Sequence, residues 1–192
     1  MDDSYYKIQF ERTFLLEKLP EEFDRAAEHF QFFDNYIENT RLCLRTVRAP
    51  KTNHYTYILE QKFPRAADDL AVWSISRIYL SEAEHEAFER FEGREVKTNE
   101  RVETNEIRFN RYFYDAGDKQ IEIDIYLGKE IWGLILARVY FESAEEMQAY
   151  RIPEIALLEV TQNEFFVGEN LIGKSFADVQ AEYAKAIGVS NS

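Results

Sequence analysis

Charged side chains recur along several β-like segments of the chain, and they carry both signs. In residues 6–16, Lys7, Gln9, Glu11 and Thr13 alternate with mainly apolar neighbours. Because successive strand residues point to opposite faces, these four side chains share one face. On a sheet packed on one side that face would meet water. Charged faces on many strands in succession could instead line the interior of a closed barrel that holds a charged ligand.

The same pattern supplies cations and carboxylates further along the chain. Guanidinium and ammonium groups can neutralise phosphate oxygens, and carboxylates can hold a hard divalent cation. The cations are Lys7, Arg41, Arg45, Lys62, Arg108 and Arg138. The acids are Glu11, Glu60, Glu106, Glu122, Asp124 and Glu159. The set suits a phosphate-rich anion bridged by a metal ion, with a solvated outer face or an interior salt-bridge network as the alternative.

Short runs of alternating polarity predict strands along most of the chain. The predicted strands cover residues 31–38, 40–47, 55–63, 70–80, 120–127, 134–141 and 155–161, besides the first. Residues 95–114 are β-rich and predict one long strand or two strands broken near 103–105. Turn residues separate most neighbours, which favours antiparallel pairing.

Helix signals are fewer than strand signals. Ser81-Glu82-Ala83-Glu84 and Ser143-Ala144-Glu145-Glu146 have the capping-box pattern and each predicts a helix start. Pro20 followed by acids predicts a helix over residues 19–29, and residues 175–187 form an amphipathic helix pattern. The predicted fold class is therefore α+β, an antiparallel barrel or strongly curved sheet with helices packed outside.

Composition argues against several function classes. The formal charge of −13 argues against general nucleic-acid binding, because phosphate contacts need a basic face. Cys43 is the only cysteine, so no internal disulfide can form and a cytoplasmic location is expected. No apolar run is long enough for a signal peptide or a membrane span. The length of 192 residues fits a single domain over residues 1–192.

Several segments, taken in order, resemble the CYTH superfamily, the triphosphate tunnel metalloenzymes. The similar segments are residues 9–20 (signature strand), 39–45 (arginine-rich strand), 57–62 (lysine-bearing strand), 78–84 (entry to the mid-domain helix), 122–128 (acid-x-Asp strand) and 159–161 (near-terminal Glu-Val-Thr). The resemblance implies an eight-stranded antiparallel β-barrel that forms a tunnel. It also implies metal-dependent hydrolysis of inorganic triphosphate, a nucleoside triphosphate or a thiamine phosphate ester. Some relatives are adenylate cyclases.

The resemblance also assigns roles to individual residues. The implied phosphate-binding residues are Arg41, Arg45, Lys62, Arg108 and Arg138. The implied catalytic residues are Glu11, Lys62 and Arg108, and the implied ligands for Mg²⁺ or Mn²⁺ are Glu11, Glu122, Asp124 and Glu159. Lys97 competes with Arg108 for the place of the tunnel cation on the mid-chain strand. The expected ligand is a small phosphorylated anion such as tripolyphosphate or a nucleoside triphosphate.

The chain departs from the family pattern at several motif positions. Gln9 and Thr13 replace an expected Glu and Lys, Cys43 replaces an expected Arg, and Arg138 and Tyr140 replace two metal-side carboxylates. Losing carboxylates weakens the hold on a hard cation. Losing cations weakens the electrostatic stabilisation on which phosphoryl transfer depends.

Two functions follow from these matches and departures. The first is a tunnel that binds a phosphorylated anion, with metal-dependent triphosphate hydrolysis if it is an enzyme. The second is a CYTH-fold scaffold, ligand sensor or interaction protein without enzymatic activity. As a further hypothesis, Arg138 pairs with Glu11, Glu122 or Glu159 and so takes the place of the metal.

Overall fold

The computed structural model describes residues 5–91, 105–117 and 119–189. Its strands are β1 (Lys7–Leu15), β2 (His29–Tyr36), β3 (Leu42–Ala49), β4 (His54–Ala66), β5 (Asp69–Leu80), β6 (Glu106–Asp115), β7 (Gln120–Tyr126), β8 (Ile135–Phe141) and β9 (Leu158–Glu159). Its α-helices are α1 (Glu82–Glu89), α2 (Ala144–Ala149) and α3 (Phe176–Val189). Lys97 lies outside the described residues.

Eight of the strands form a closed antiparallel ring. The hydrogen-bonded order is β5-β4-β3-β2-β6-β7-β8-β1, and a further β5–β1 pairing closes it. Along one edge, β1 pairs with two strands in turn: residues 7–10 pair with β5, and Phe14 and Leu15 pair with β9. The predicted eight-stranded barrel is therefore confirmed.

Each face of the barrel wall has its own apolar cluster. Inward-facing Leu15, Phe109 and Leu136 pack with residues of the C-terminal segment, including Phe166, in one cluster. These residues share strand faces with charged side chains, so the interior is apolar along one part and ionic along another. Outward-facing Phe14 belongs to a second cluster, which residues from α2 and the loops cover.

The capping residues begin their helices where the sequence predicts. Ser81 and Glu84 form a complete capping box at the start of α1. Ser143 caps α2 by accepting from the backbone N–H of Glu146, whose carboxylate accepts from the backbone N–H of Glu142. The C-terminal helix is also confirmed as α3.

The predicted helix over residues 19–29 is wrong. The chain there makes consecutive turns, with the Phe23 N–H donating to the Pro20 carbonyl at 3.0 Å. The Asp24 carboxylate accepts from the Ala26 N–H at 2.8 Å, a side-chain bond that competes with a helical ladder. Leu19 and Phe23 instead pack on the outer apolar cluster.

The strand predicted over residues 155–161 is reduced to the two residues of β9. Its neighbours continue alongside β1 without regular pairing, and the Val160 N–H donates to the Thr13 carbonyl at 2.9 Å.

Across the described ranges, no helix has both the length and the apolar character needed to cross a bilayer.

Candidate anion-binding tunnel

The barrel encloses a cavity of about 410 Å³ that side chains from all eight ring strands line. Its polar strand residues are Gln9, Glu11, Thr13, Asp34, Tyr36, Arg45, Glu60, Lys62, Arg77, Arg111, Tyr126, Arg138 and Tyr140. The polar faces of successive strands therefore converge on one interior.

One ion-pair group joins β2, β3, β4 and β5. Asp34 and Arg45 are directly opposite on paired strands, and the guanidinium donates to both Asp34 oxygens at 2.6 Å. Arg45 also lies 3.2 Å from Glu60, which accepts from Arg77 Nε at 2.5 Å. Asp34 and Glu60 are 2% and 4% exposed, so this network is removed from water.

Lys62 and Glu11 form a second pair that spans the strand between them. β1 and β4 both neighbour β5, and Lys62 Nζ reaches across to the two Glu11 oxygens at 2.8 and 2.9 Å. Gln9 Nε2 donates to Glu11 Oε2 at 2.6 Å. The Lys62 ammonium lies 4.4 Å from the Trp73 ring centroid, within cation–π range.

The third group contains two arginines held on one carboxylate. Arg111 is directly opposite Asp124 and donates to its two oxygens at 2.7 and 2.8 Å. Arg138 donates to the same Asp124 and to the Tyr126 hydroxyl. Arg111 Nη1 also lies 2.7 Å from Glu122 Oε2, although outside hydrogen-bond alignment. Asp124 is 0% exposed and forms the centre of this group.

The ionisation of these groups follows from their partners. Burial alone would raise the pKa of Glu60, but Arg45 and Arg77 outweigh it and lower that pKa. Burial alone would lower the pKa of Arg45, which Asp34 and Glu60 instead raise. Burial lowers the pKa of Lys62, and its attraction to Glu11 only partly opposes the change. An anion beside Lys62 would favour its charged form.

Exposed charges mark the opening of the cavity. Arg41 lies there with its guanidinium carbon 4.2 Å from the Phe63 ring centroid, and it has no ion pair with the described residues. Glu164 and Glu169 also line the cavity and are exposed. Their segment passes close to the barrel wall at Gly168, where an added Cβ would lie 2.1 Å from the Tyr36 hydroxyl oxygen.

The structure brings most of the predicted site residues together. Arg41, Arg45, Lys62, Arg138 and Glu11 line the cavity. Asp124 and Glu122 do not line the cavity themselves. Asp124 accepts hydrogen bonds from Arg111 and Arg138, which do line it, and Glu122 ion-pairs with Arg111.

Two predicted site residues lie elsewhere. Arg108 is on the face of β6 opposite Arg111, is 57% exposed, and ion-pairs with Glu106. Glu159 does not line the cavity. It accepts from Arg12 Nε at 2.8 Å on the opposite face of β1 from Glu11. The predicted pairing of Arg138 with Glu11, Glu122 or Glu159 is also not what the structure shows, because Arg138 pairs with Asp124.

Sequence reasoning missed Asp34, Arg77 and Arg111. Strand alternation places Arg111 on the same face as Ile107 and Phe109, so the sequence alone gives no sign that it faces a charged interior. Arg108, on the other face of the same strand, is instead among the cations that the sequence predicts for the charged strand faces. The face with Arg111 points into the barrel. Ile107 and Phe109 belong to the interior apolar cluster, and Arg111 continues the same face into the ionic part of the cavity.

The buried carboxylates around the cavity do not fit a divalent metal ion. Mg²⁺ and Mn²⁺ need several oxygen ligands converging on one point, and no group of three or more candidate ligands occurs within the described part of the chain. Each of Glu11, Asp34, Glu60 and Asp124 instead accepts hydrogen bonds from at least one cationic side chain at 3.3 Å or less. A metal ion would have to displace these cations.

Acid should weaken the fold through Glu60. Its folded-state pKa is lowered, so its ionised form stabilises the protein above the ordinary value of 4.5 and this contribution is lost as pH falls below it. Urea unfolding between pH 7 and pH 3 should show a decline in stability that is shallower in Glu60→Gln, by up to about 1.4 kcal/mol per pH unit. An identical slope in the two proteins would contradict this assignment.

Comparisons with known proteins place this architecture among solved structures. No family profile and no curated protein sequence matches the chain. Two solved structures of the protein NE1496, one described as an inorganic triphosphatase, match at 20% identity with TM-scores of 0.53 and 0.52. They cover 87% and 85% of this chain and 99% and 93% of their own.

A weaker likeness, to the PH1012 protein of Pyrococcus horikoshii, has a TM-score of 0.42 at 13% identity and covers 73% of this chain and 83% of that one. It carries no weight beside the two NE1496 structures. Those two, together with the ring of eight antiparallel strands, confirm the predicted architecture. The chain therefore has the fold that its sequence resemblance predicts, a tunnel of eight antiparallel strands, and it shares this fold with the NE1496 structures.

Proposed function

We propose that this chain is a divergent CYTH-type tunnel protein that binds a small phosphorylated anion inside its barrel. The observation that carries the proposal is the convergence of Arg45, Lys62, Arg77, Arg111 and Arg138 on one cavity. Guanidinium and ammonium groups at close quarters are the side chains best suited to phosphate oxygens. The volume of about 410 Å³ is ample for a tripolyphosphate-sized ligand.

The acids of the cavity hold these cations in position. Arg45 is fixed by Asp34 and Glu60, and Arg111 by Asp124. Preorganised donors bind an anion with little loss of side-chain freedom. Because the carboxylates also offset the positive charge, we expect moderate affinity, with a Kd of about 1–100 µM for tripolyphosphate.

An apolar wall beside the cations favours a ligand with an organic group. Phe63, Leu70, Trp73 and Val167 line the same cavity next to Lys62. An aromatic or apolar group could pack on these side chains while its phosphates contact the cations. A nucleoside triphosphate therefore fits the cavity better than an inorganic chain of equal charge.

Hydrolysis is the less favoured part of the sequence-based prediction. The metal-dependent reaction needs free carboxylates, and the buried carboxylates around the cavity are bound to cations. We therefore propose ligand binding, and not hydrolysis, as the function. A scaffold with a permanently salt-bridged interior is the competing function, favoured by the same pairing.

Calorimetric titration with tripolyphosphate and with ATP tests the proposal. We expect both anions to bind the wild-type protein and to raise its melting temperature, with ATP the tighter of the two. Arg45→Gln should weaken the binding of both anions. Its matched control is Arg48→Gln, since Arg48 lies three residues along the same strand and does not line the cavity. Failure of both anions to bind would favour the scaffold. Release of phosphate from either anion in the presence of magnesium would show that the protein is an enzyme.

A further inference from the structure

The geometry points to an anion site that works without a divalent metal, because arginine and lysine side chains occupy the carboxylates to which a metal ion would bind. This inference rests on the proposed anion binding. Its clearest element is Asp124, whose two oxygens are held by Arg111 and Arg138 at 0% exposure. Two fixed guanidinium groups thus stand where an acidic pocket would otherwise attract a hard cation.

The ion-pair network around the cavity is balanced in charge. Its acids are Glu11, Asp34, Glu60, Glu122 and Asp124, and its cations are Arg45, Lys62, Arg77, Arg111 and Arg138. Within this network, five carboxylates are matched by five cations, so the paired groups carry no net negative charge that would attract Mg²⁺. A metal ion that displaced a guanidinium from Asp124 would leave that arginine buried without its partner, which is strongly unfavourable.

An anion, in contrast, can bind without breaking the pairs. An arginine carries five N–H donors and a lysine three. Arg138 uses one hydrogen bond to Asp124 and one to the Tyr126 hydroxyl, which leaves three N–H groups without a partner among the described residues. Lys62 uses two hydrogen bonds to Glu11 and keeps one N–H. These remaining donors supply the contacts that bridging metal ions would otherwise make to phosphate.

Glu11 distinguishes a metal-dependent site from a metal-free one. If Glu11 ligated a metal, Glu11→Gln would weaken anion binding in magnesium. If Glu11 instead restrains Lys62, the same change removes a carboxylate beside the anion and frees the ammonium group. We therefore expect Glu11→Gln to bind tripolyphosphate about threefold to tenfold more tightly in the presence of a chelator.

The test is calorimetric titration of tripolyphosphate into the full-length protein, in chelator and in magnesium. We expect wild-type affinity in chelator to equal or exceed that in magnesium, because magnesium binds the free polyanion and competes for it. Magnesium titrated alone should give no binding signal. The control is Glu154→Gln, which makes the same change of charge at an exposed site that does not line the cavity, and it should leave both affinities unchanged.

Each contrary result separates this inference from the proposed function. Binding that requires magnesium, together with loss of binding in Glu11→Gln, would overturn the metal-free site while anion binding stands. Absence of binding under both conditions would overturn both. If Glu11→Gln does not fold, as judged by circular dichroism, the comparison of chelator with magnesium on the wild-type protein still decides the question.

Discussion

Asp124→Asn is expected to lower the free energy of unfolding by about 3–5 kcal/mol. The carboxylate is completely buried between Arg111 and Arg138. The amide has nearly the same shape, so the change removes charge and leaves two buried guanidinium groups facing each other without their shared counter-ion. Chemical denaturation of the variant and the wild type measures the loss, with an expected fall in melting temperature of roughly 6–20 °C.

An anion should partly rescue this variant. Tripolyphosphate in the cavity would supply negative charge near the two arginines, so it should raise the melting temperature of Asp124→Asn more than that of the wild type. Glu154→Gln, which removes the same charge at an exposed site that does not line the cavity, is the control and should stay close to the wild type in both measurements. Wild-type stability in Asp124→Asn would show that the carboxylate does not hold the arginines together.

Arg111→Gln is expected to reduce the affinity for tripolyphosphate about 10- to 100-fold, whereas Arg108→Gln should change it by less than about twofold. The two arginines are three residues apart on β6 and face opposite ways. Arg111 lines the cavity, and Arg108 is 57% exposed and paired with Glu106. Sequence resemblance selects Arg108 as the phosphate-binding residue, so the pair of variants separates the two assignments.

Calorimetric titration of both variants, after circular dichroism has confirmed folding, gives the comparison. Arg111→Gln leaves Asp124 bound to Arg138, so the barrel should persist. A large loss of affinity in Arg108→Gln with little change in Arg111→Gln would mean that the faces of β6 point in directions opposite to those in the structure. Equal losses would place the anion outside the cavity.

The sequence predicts the barrel well because its strands alternate clearly. On β1, Glu11 and Thr13 face inward as expected, and the inward cations Arg45 and Lys62 follow the same rule on β3 and β4. Alternation with period two is a local property, so it is legible in single strands. Capping at Ser81 is equally local and was also predicted correctly.

The parts that the sequence does not predict depend on distant contacts. Arg111 is an inward residue on a face that begins with Ile107 and Phe109, and only the position of the interior apolar cluster explains that direction. Which acid binds which cation depends on register between strands far apart in sequence, as for Lys62 and Glu11, separated by 51 residues. The helix predicted at residues 19–29 does not form, although the local sequence favours it. The Asp24 carboxylate stabilises a turn, and Leu19 and Phe23 pack on the outer face of the barrel.

A crystal structure of the protein with tripolyphosphate, grown in the presence of a chelator, tests the central claim most directly. The claim is that the ionic faces of the barrel strands form one metal-independent site for a phosphorylated anion. We expect the anion inside the barrel, with phosphate oxygens within hydrogen-bond distance of Lys62, Arg111 and Arg138. An anion bound only on the outer surface, or only together with a metal ion on Glu11 and Asp124, would contradict it.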